Sequence, residues 1–308
     1  MPPTVSIVIP TRDEAADIRG TLDAVLALDH DDLEAVVVDA SRDATPEIVS
    51  RYPCPPVRLL HQSLGRGRAA ARNEGILAAR GEILVILNAD VRLPRDFVRR
   101  ILSHYAAGAD YVLVESRVSN VETAPPRYVQ ARHERDYPPR PDVEASMQWT
   151  EGFSCRRAAA LAVGLMPEGA AVPLVAGEDG WFGDRLAAAG YRKAFDRSIV
   201  VTHLAPPDLS GFWRQRVGRG QGGPQILHAR HGWPLHRIIP AAFHATARHL
   251  LTLLVPPLPL WQGWRLSAYS PRGRADWLPF AALTWAEAAA NARGIAQGVL
   301  DLWRAGAR

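Results

Sequence analysis

The sequence predicts an α/β fold: a mostly parallel sheet flanked by helices, followed by a helical, basic and tryptophan-rich C-terminal region. Three observations carry this expectation. Short β-branched runs alternate with helix-period segments through the first third of the chain. Acidic and polar residues collect where those runs end. The charge then changes sign along the chain, from a balance of −4 over residues 1–200 to +8 over the last 108.

The elements follow in order. Val5–Ile9 reads as a strand stopped at Pro10. Ile18, Leu22, Val25 and Leu26 recur at helical spacing and mark an amphipathic helix. Ala35–Val38 is the next strand, ending at Asp39, with a helix from Pro46 and a third strand over Val57–Leu60. Arg68–Ala79 reads as a helix, and Ile83–Leu87 as an apolar strand covered on both faces. Phe97, Ile101, Leu102 and Tyr105 define a further helix, and Tyr111–Val114 a further strand. Residues 120–148, rich in Pro, Arg and Glu, read as a long loop or lid. Arg156–Leu165 and Asp179–Ala189 read as helices, the second closed by Gly190, and Ile199–Thr202 as a strand ending at His203.

Composition narrows the function classes. A chain of 308 residues, 47% hydrophobic and 22% charged, has the material for a proper core. Disordered, collagen-like and disulfide-stapled classes are excluded. Cys54 and Cys155 lack metal-site spacing and form no disulfide framework, so a reducing, cytosolic setting is expected. The start, MPPTVSIVIPT, does not read as a secretory signal. Lys193 is the only lysine, which leaves 35 arginines. No GxSxG, HExxH or P-loop pattern occurs.

In parallel sheets ligands bind at the carboxyl ends of the strands. Thr11-Arg12-Asp13-Glu14, Asp39 and Asn88-Ala89-Asp90 stand at such ends, and Glu178-Asp179 opens a helix. Singly, each acid reads as a cap or dipole partner. Together they suit a divalent ion held against a diphosphate. His203 joins that set only if the fold brings it to Asp90. Arg216 and Arg219, in a glycine-rich stretch read as a mobile loop, suit phosphates, with a solvated basic helix end as the equal alternative. Gly218, Gly220 and Gly223 follow no strand, and Gly65, Gly67 and Ala70 follow the third rather than the first; neither reads as a dinucleotide fingerprint.

The motifs in sequence resemble the family 2 glycosyltransferases, whose nucleotide-diphospho-sugar-binding fold is called GT-A. Val5–Thr11 is similar to the opening strand, Val36–Asp39 with Ser41–Thr45 to the second strand and its acidic turn, and Ala71–Ile76 to the Ala-Arg-Asn-x-Gly helix. Ile86–Asp90 occupies the place of the DxD metal motif, Gly152–Arg157 that of the acceptor-side Gly…Arg-Arg element, and Gly177-Glu178-Asp179 that of the Glu-Asp motif. The resemblance covers roughly residues 4–223. It implies transfer of a sugar from a nucleotide-diphosphate donor to an acceptor hydroxyl, with inversion expected. By that resemblance Asp39 and Arg72 contact the base, with Pro10, Thr11, Arg12 and Glu14 lining its pocket. Asn88, Ala89 and Asp90 face the diphosphate, and Asp90 with His203 holds Mn²⁺ or Mg²⁺. Asp179, beside Glu178, is the general base. Gly152 and Arg156 lie on the acceptor side, and Arg216 and Arg219 neutralise the leaving group. Three departures stand out: Asn88 replaces the first acid of DxD, the turn after Asp39 is one residue short, and Arg12 stands where an aromatic is common. The rivals are a nucleotidyltransferase and a catalytically weak nucleotide-sugar-binding or scaffold protein.

The expected division is a catalytic domain over 1–223 and a helical region over 224–308. Leu250–Trp261 is apolar but broken by Pro256, Pro257 and Pro259, too short for a spanning helix. Trp261, Trp264, Trp277, Trp285 and Trp303 interleave with arginines, a mixture suited to a headgroup layer. Peripheral contact with an anionic membrane, at its inner face and with a lipid-linked acceptor, weighs equally here with packing against the catalytic domain or a homodimer interface. Nucleic-acid binding has no recognised module behind it.

Overall fold

The computed structural model describes residues 4–169 and 171–307. Among these, eight strands form one sheet: β1 Val5–Thr11, β2 Leu33–Asp39, β3 Val57–His61, β4 Ile83–Ile86, β5 Val91–Arg92, β6 Tyr111–Val118, β7 Ser154–Arg156 and β8 Lys193–His203, in the order β3-β2-β1-β4-β7-β6-β8-β5. β1 runs parallel to β2 and β4, and β2 to β3, as βα units require. β7 is antiparallel to β4 and β6, and β5 to β8. The helices are α1 Ile18–Leu26, α2 Thr45–Val49, α3 Arg68–Ala78, α4 Phe97–Ala106, α5 Ala124–Asp136, α6 Pro141–Ser146, α7 Arg157–Ala162, α8 Glu178–Ala188, α9 Leu209–His231, α10 Leu235–Leu254, α11 Pro257–Leu266 and α12 Trp277–Arg304.

The chain resolves into two compact units that do not follow a boundary at 223. The first comprises the chain up to Arg117 with Ala145–Glu168 and Asp179–His203; the second comprises Val118–Glu144, the stretch ending at Glu178, and everything from Leu204 onward. In the first unit, Ile7, Ile9, Val37, Val85 and Val112 pack with Ile18, Leu22, Phe97 and Ile101 into one buried core. Pro10 does not end β1, which continues to Thr11. Pairing with β4 stops at Val8, so the missing N–H of Pro10 costs no ladder bond on that side, while β2 still pairs through Thr11.

Two loop expectations are overturned. The stretch read as a long loop at 120–148 holds α5 and α6. Pro125 and Pro126 fall in the first turn of α5, where an absent N–H removes no intrahelical bond. Tyr128 of α5 is buried edge-on against Phe212 and Phe280, within a cluster completed by Ala131, Leu266 and Leu283. Arg127 is buried and donates to both oxygens of Asp276, at 2.7 and 2.8 Å. The stretch read as a mobile glycine-rich loop is the middle of α9. Its glycines permit close packing: a Cβ at Gly220 would strike the Asn291 carbonyl, and one at Gly294 of α12 the Val217 carbonyl.

Candidate functional site

The carboxyl ends of β1 and β2 are knitted together by one carboxylate. Thr11 lies opposite Asp39, and its hydroxyl donates to Asp39 Oδ1 at 2.7 Å. The Ser41 hydroxyl donates to the same oxygen at 2.6 Å, and the Ser41 N–H to Oδ2 at 3.2 Å. The short turn is closed from the other side, because Asp13 N–H donates to Ser41 and Arg42 N–H to Asp13 Oδ1, both at 2.8 Å. Asp13 adopts φ +58, a conformation that Asp tolerates better than most side chains. Pro10 is half-buried on the same rim, and Arg12 is exposed. Asp39 thus has three donors on its carboxylate and retains acceptor capacity on Oδ2.

Beyond β4, Arg72 is buried and donates from Nη2 to Asn88 Oδ1 at 2.9 Å, with its guanidinium 5.3 Å from the Trp149 ring centre. Asn88 Nδ2 donates to Glu151 Oε2 at 3.0 Å. Asn88 therefore joins a cation to an anion, which an aspartate there could not do, since it has no donor when ionised. The Ala89 carbonyl accepts from Thr21.

Asp90 comes next, and its Oδ1 is buried with no hydrogen-bond partner. Burial pushes the Asp90 carboxyl up to about 7, helped by the negative charges of Glu151, Glu14 and Asp17. Glu14 is also pushed up to about 7, by burial and then by Asp17, Asp43 and Asp13, against the opposing charge of Arg68. Asp90 thus stands among negative charges with its Oδ1 unsatisfied. The antiparallel register places His203 opposite Val91, so the histidine stands beside the residue that follows Asp90. Among the described residues no three His, Cys, Asp or Glu side chains converge as a ready-made metal cage. The donor set fits an ion that takes one or two protein ligands and completes its shell with phosphate oxygens.

Asp179 is half-exposed in the first turn of α8 and accepts from the Gly180 N–H at 2.7 Å, while its neighbour Glu178 is buried. Gly152 adopts φ +75, and a Cβ there would lie 3.0 Å from Val201 and 3.1 Å from Val114, so glycine is required between those two strands.

Some expected residues stand elsewhere. Arg156 pairs with Ile83 at the first residue of β4, the end opposite Asn88–Asp90. There it binds Glu82 and the Tyr105 carbonyl, each at 3.0 Å, and stacks over the Tyr105 ring, which is a structural rather than an acceptor-side position. Arg216 is buried on α9, 3.2 Å from Glu287 and over the Phe212 ring, and burial pushes it down to about 10 against the pull of Glu287. It is not on a mobile loop. Arg219 is exposed on the same helix. Trp149, Glu151 and Asp17 escaped the sequence reading; Glu151 had a signal, an acid directly before a glycine already singled out.

Comparison with known proteins points to one family. The profile of glycosyl transferase family 2 matches residues 6–165. Glycosyltransferase AglE of Haloferax volcanii is 30% identical over 277 residues, covering 83% of each chain. The succinoglycan biosynthesis protein ExoO of Rhizobium meliloti is 36% identical over 115 residues, 37% of this chain; that alignment spans only 33% of the relative. Among solved structures, a mannosyltransferase from Pyrobaculum calidifontis in complex with GDP-Man and Mn²⁺ superposes with TM-score 0.59 at 23% identity, over 94% of this chain and 87% of that one. S. aureus TarS 1–349 in complex with UDP-GlcNAc gives 0.56 at 14%, over 99% and 92%. The fold is of the GT-A type.

Proposed function

The chain belongs to glycosyl transferase family 2, and from that premise we propose that it moves a sugar from a nucleotide-diphosphate donor to an acceptor hydroxyl with inversion. The observation that carries this reading is the Asp90 carboxylate, whose buried Oδ1 has no hydrogen-bond partner, on the sheet whose β1 and β2 ends carry the polar rim at Asp39.

In this reading the base rests at the ends of β1 and β2, where Asp39 Oδ2 can accept a ring N–H and Arg72 flanks it. Asp90, with His203 beside it, would hold the Mn²⁺ or Mg²⁺. When bound, that ion neutralises the charge that develops on the leaving diphosphate. Asn88 sets the direction of both of its neighbours: it holds Arg72 in place and fixes Glu151 beside Asp90. Asp179 takes the proton of the acceptor hydroxyl while that oxygen bonds to the anomeric carbon, and the anomeric C–O bond to the diphosphate breaks. The N–H of Gly180 orients the carboxylate for this task. Arg216 has no part in the scheme, being buried on α9 with Glu287 3.2 Å away. The charge and tryptophan content of the chain beyond residue 200 support an enzyme working at an anionic membrane face on a lipid-linked acceptor.

The test is a panel of nucleotide sugars incubated with and without Mn²⁺ or Mg²⁺. Release of a nucleoside diphosphate is expected, increased by the metal. Release of pyrophosphate would mark a nucleotidyltransferase, and donor binding without turnover across the panel would mark a carrier.

A further inference from the structure

The second unit contains a cavity of about 910 Å³ that the transfer chemistry leaves unused. Leu209 and Trp213 of α9, Leu253 and Leu254 of α10, and Pro279 and Trp285 of α12 line it, and almost all of its wall is apolar. Its volume lies within the range of small-molecule sites. The Trp285 indole donates to the Leu253 carbonyl at 3.2 Å, tying α12 to the last turn of α10. Directly after that turn the chain breaks. α10 and the segment Pro257–Tyr269 are together long and apolar enough for a membrane, yet they meet at 92°, and among the described residues no single helix passes that test.

Two further observations say what covers this region. The side chains around the bend face outward: Leu254 is 77% exposed and Phe243 74%, with Leu251, Trp261 and Trp264 also exposed. Large apolar exposure of this kind marks an interaction surface. The charge around it has one sign. From Leu209 to Ala275 there is no acid among 67 residues, against nine arginines and five histidines. Arg265 and Arg274 lie over the rings of Trp261 and Trp264, at 4.9 and 4.0 Å, so cation and indole share one level. A protein partner would have to be both greasy and uniformly acidic. An anionic phospholipid bilayer is both by nature, and a bent apolar pair suits its headgroup plane.

We infer that the second unit docks on an anionic phospholipid bilayer through the α10–α11 bend, and that its apolar cavity takes one acyl chain of that bilayer. This deepens the membrane placement given above but rests on the helical unit alone, and binding is measured without any sugar transfer.

The experiment uses the full chain with vesicles of phosphatidylglycerol and phosphatidylcholine, against vesicles of phosphatidylcholine alone. Partitioning onto the anionic vesicles should be at least about tenfold stronger and should weaken with added salt. Phospholipids brominated along the acyl chain should quench tryptophan emission, because Trp213 and Trp285 line the cavity. Leu254→Glu, at an exposed position that leaves the thermal melt unchanged, should reduce partitioning about tenfold. Ala282→Phe narrows the cavity from an exposed position and should lower acyl-bromine quenching while flotation persists. Absence of flotation at low salt, equal binding to both vesicle types, or a concentration-dependent dimer that binds no vesicles would overturn docking. Quenching unchanged in Ala282→Phe would overturn the acyl-chain site.

Discussion

Replacing Asp90 with Asn should stabilise the metal-free protein at alkaline pH while removing its response to metal. Asp90 has a folded-state pKa of about 7 against an ordinary 3.8, raised by burial and then by Glu151, Glu14 and Asp17. Between those values the folded state holds more protons than the unfolded chain, so stability falls as pH rises from about 4 to about 7, with the full cost standing above that. Three pKa units correspond to about 4 kcal/mol at most. Because Asp90 keeps some contact with solvent, a gain of about 1–3 kcal/mol in Asp90→Asn at pH 8 is the working figure. Glu14 titrates over the same window and stays in the variant, so a shallower pH slope should remain.

The assay is urea unfolding from pH 4 to 8 in chelator, followed by far-ultraviolet circular dichroism. Hydrogen exchange in β4 peptides reports on the first unit, since seven of the nine tryptophans lie beyond residue 200 and would report mainly on the second. Mn²⁺ should then stabilise the native protein at pH 8 by mass action and leave Asp90→Asn unchanged. A variant less stable than the native protein at pH 8 without metal, or one with the same pH slope, would refute the assignment of Asp90 as an uncompensated charge awaiting a cation.

Three other outcomes follow from the same geometry. Asp179→Asn should cut transfer by about 10²–10⁴-fold while nucleotide affinity stays within a factor of about two, read by single-turnover assay and by titration with the nucleoside diphosphate. Asn88→Asp removes the N–H donor to Glu151 and sets a carboxylate beside it, so chelator-treated protein should lose about 2–4 kcal/mol and Mn²⁺ should restore part of it, measured by urea unfolding. Gly294→Ala drives a methyl into the Val217 carbonyl and should cost about 1–3 kcal/mol, seen as faster hydrogen exchange in α9 and α12 with exchange in β1 unchanged.

The parts of this molecule that were legible in its sequence are those whose cause is local. A β-branched run, an acid after it and a helix period each leave a mark within ten residues or so, and β1 to β4 with Asp39, Asn88 and Asp90 were readable for that reason. His203 was conditional, because only the β5–β8 register, set across more than a hundred residues of chain, places it opposite Val91. Arginine was where residue type misled. Arg72, Arg127, Arg156 and Arg216 are the same side chain, and sequence context marked Arg216 as mobile and phosphate-seeking. What decides each one's task is its nearest anion or ring: Asn88 and Trp149 for Arg72, Asp276 for Arg127, Glu82 and Tyr105 for Arg156, Glu287 and Phe212 for Arg216. These acids and Asn88 lie 16 to 149 positions away along the chain, further than a local window reaches. The glycines of α9 teach the same lesson from the other direction. In a one-dimensional reading they signal flexibility, whereas here they remove the Cβ atoms that would hold α9 away from α12, so the segment expected to move is among the closest-packed in the second unit.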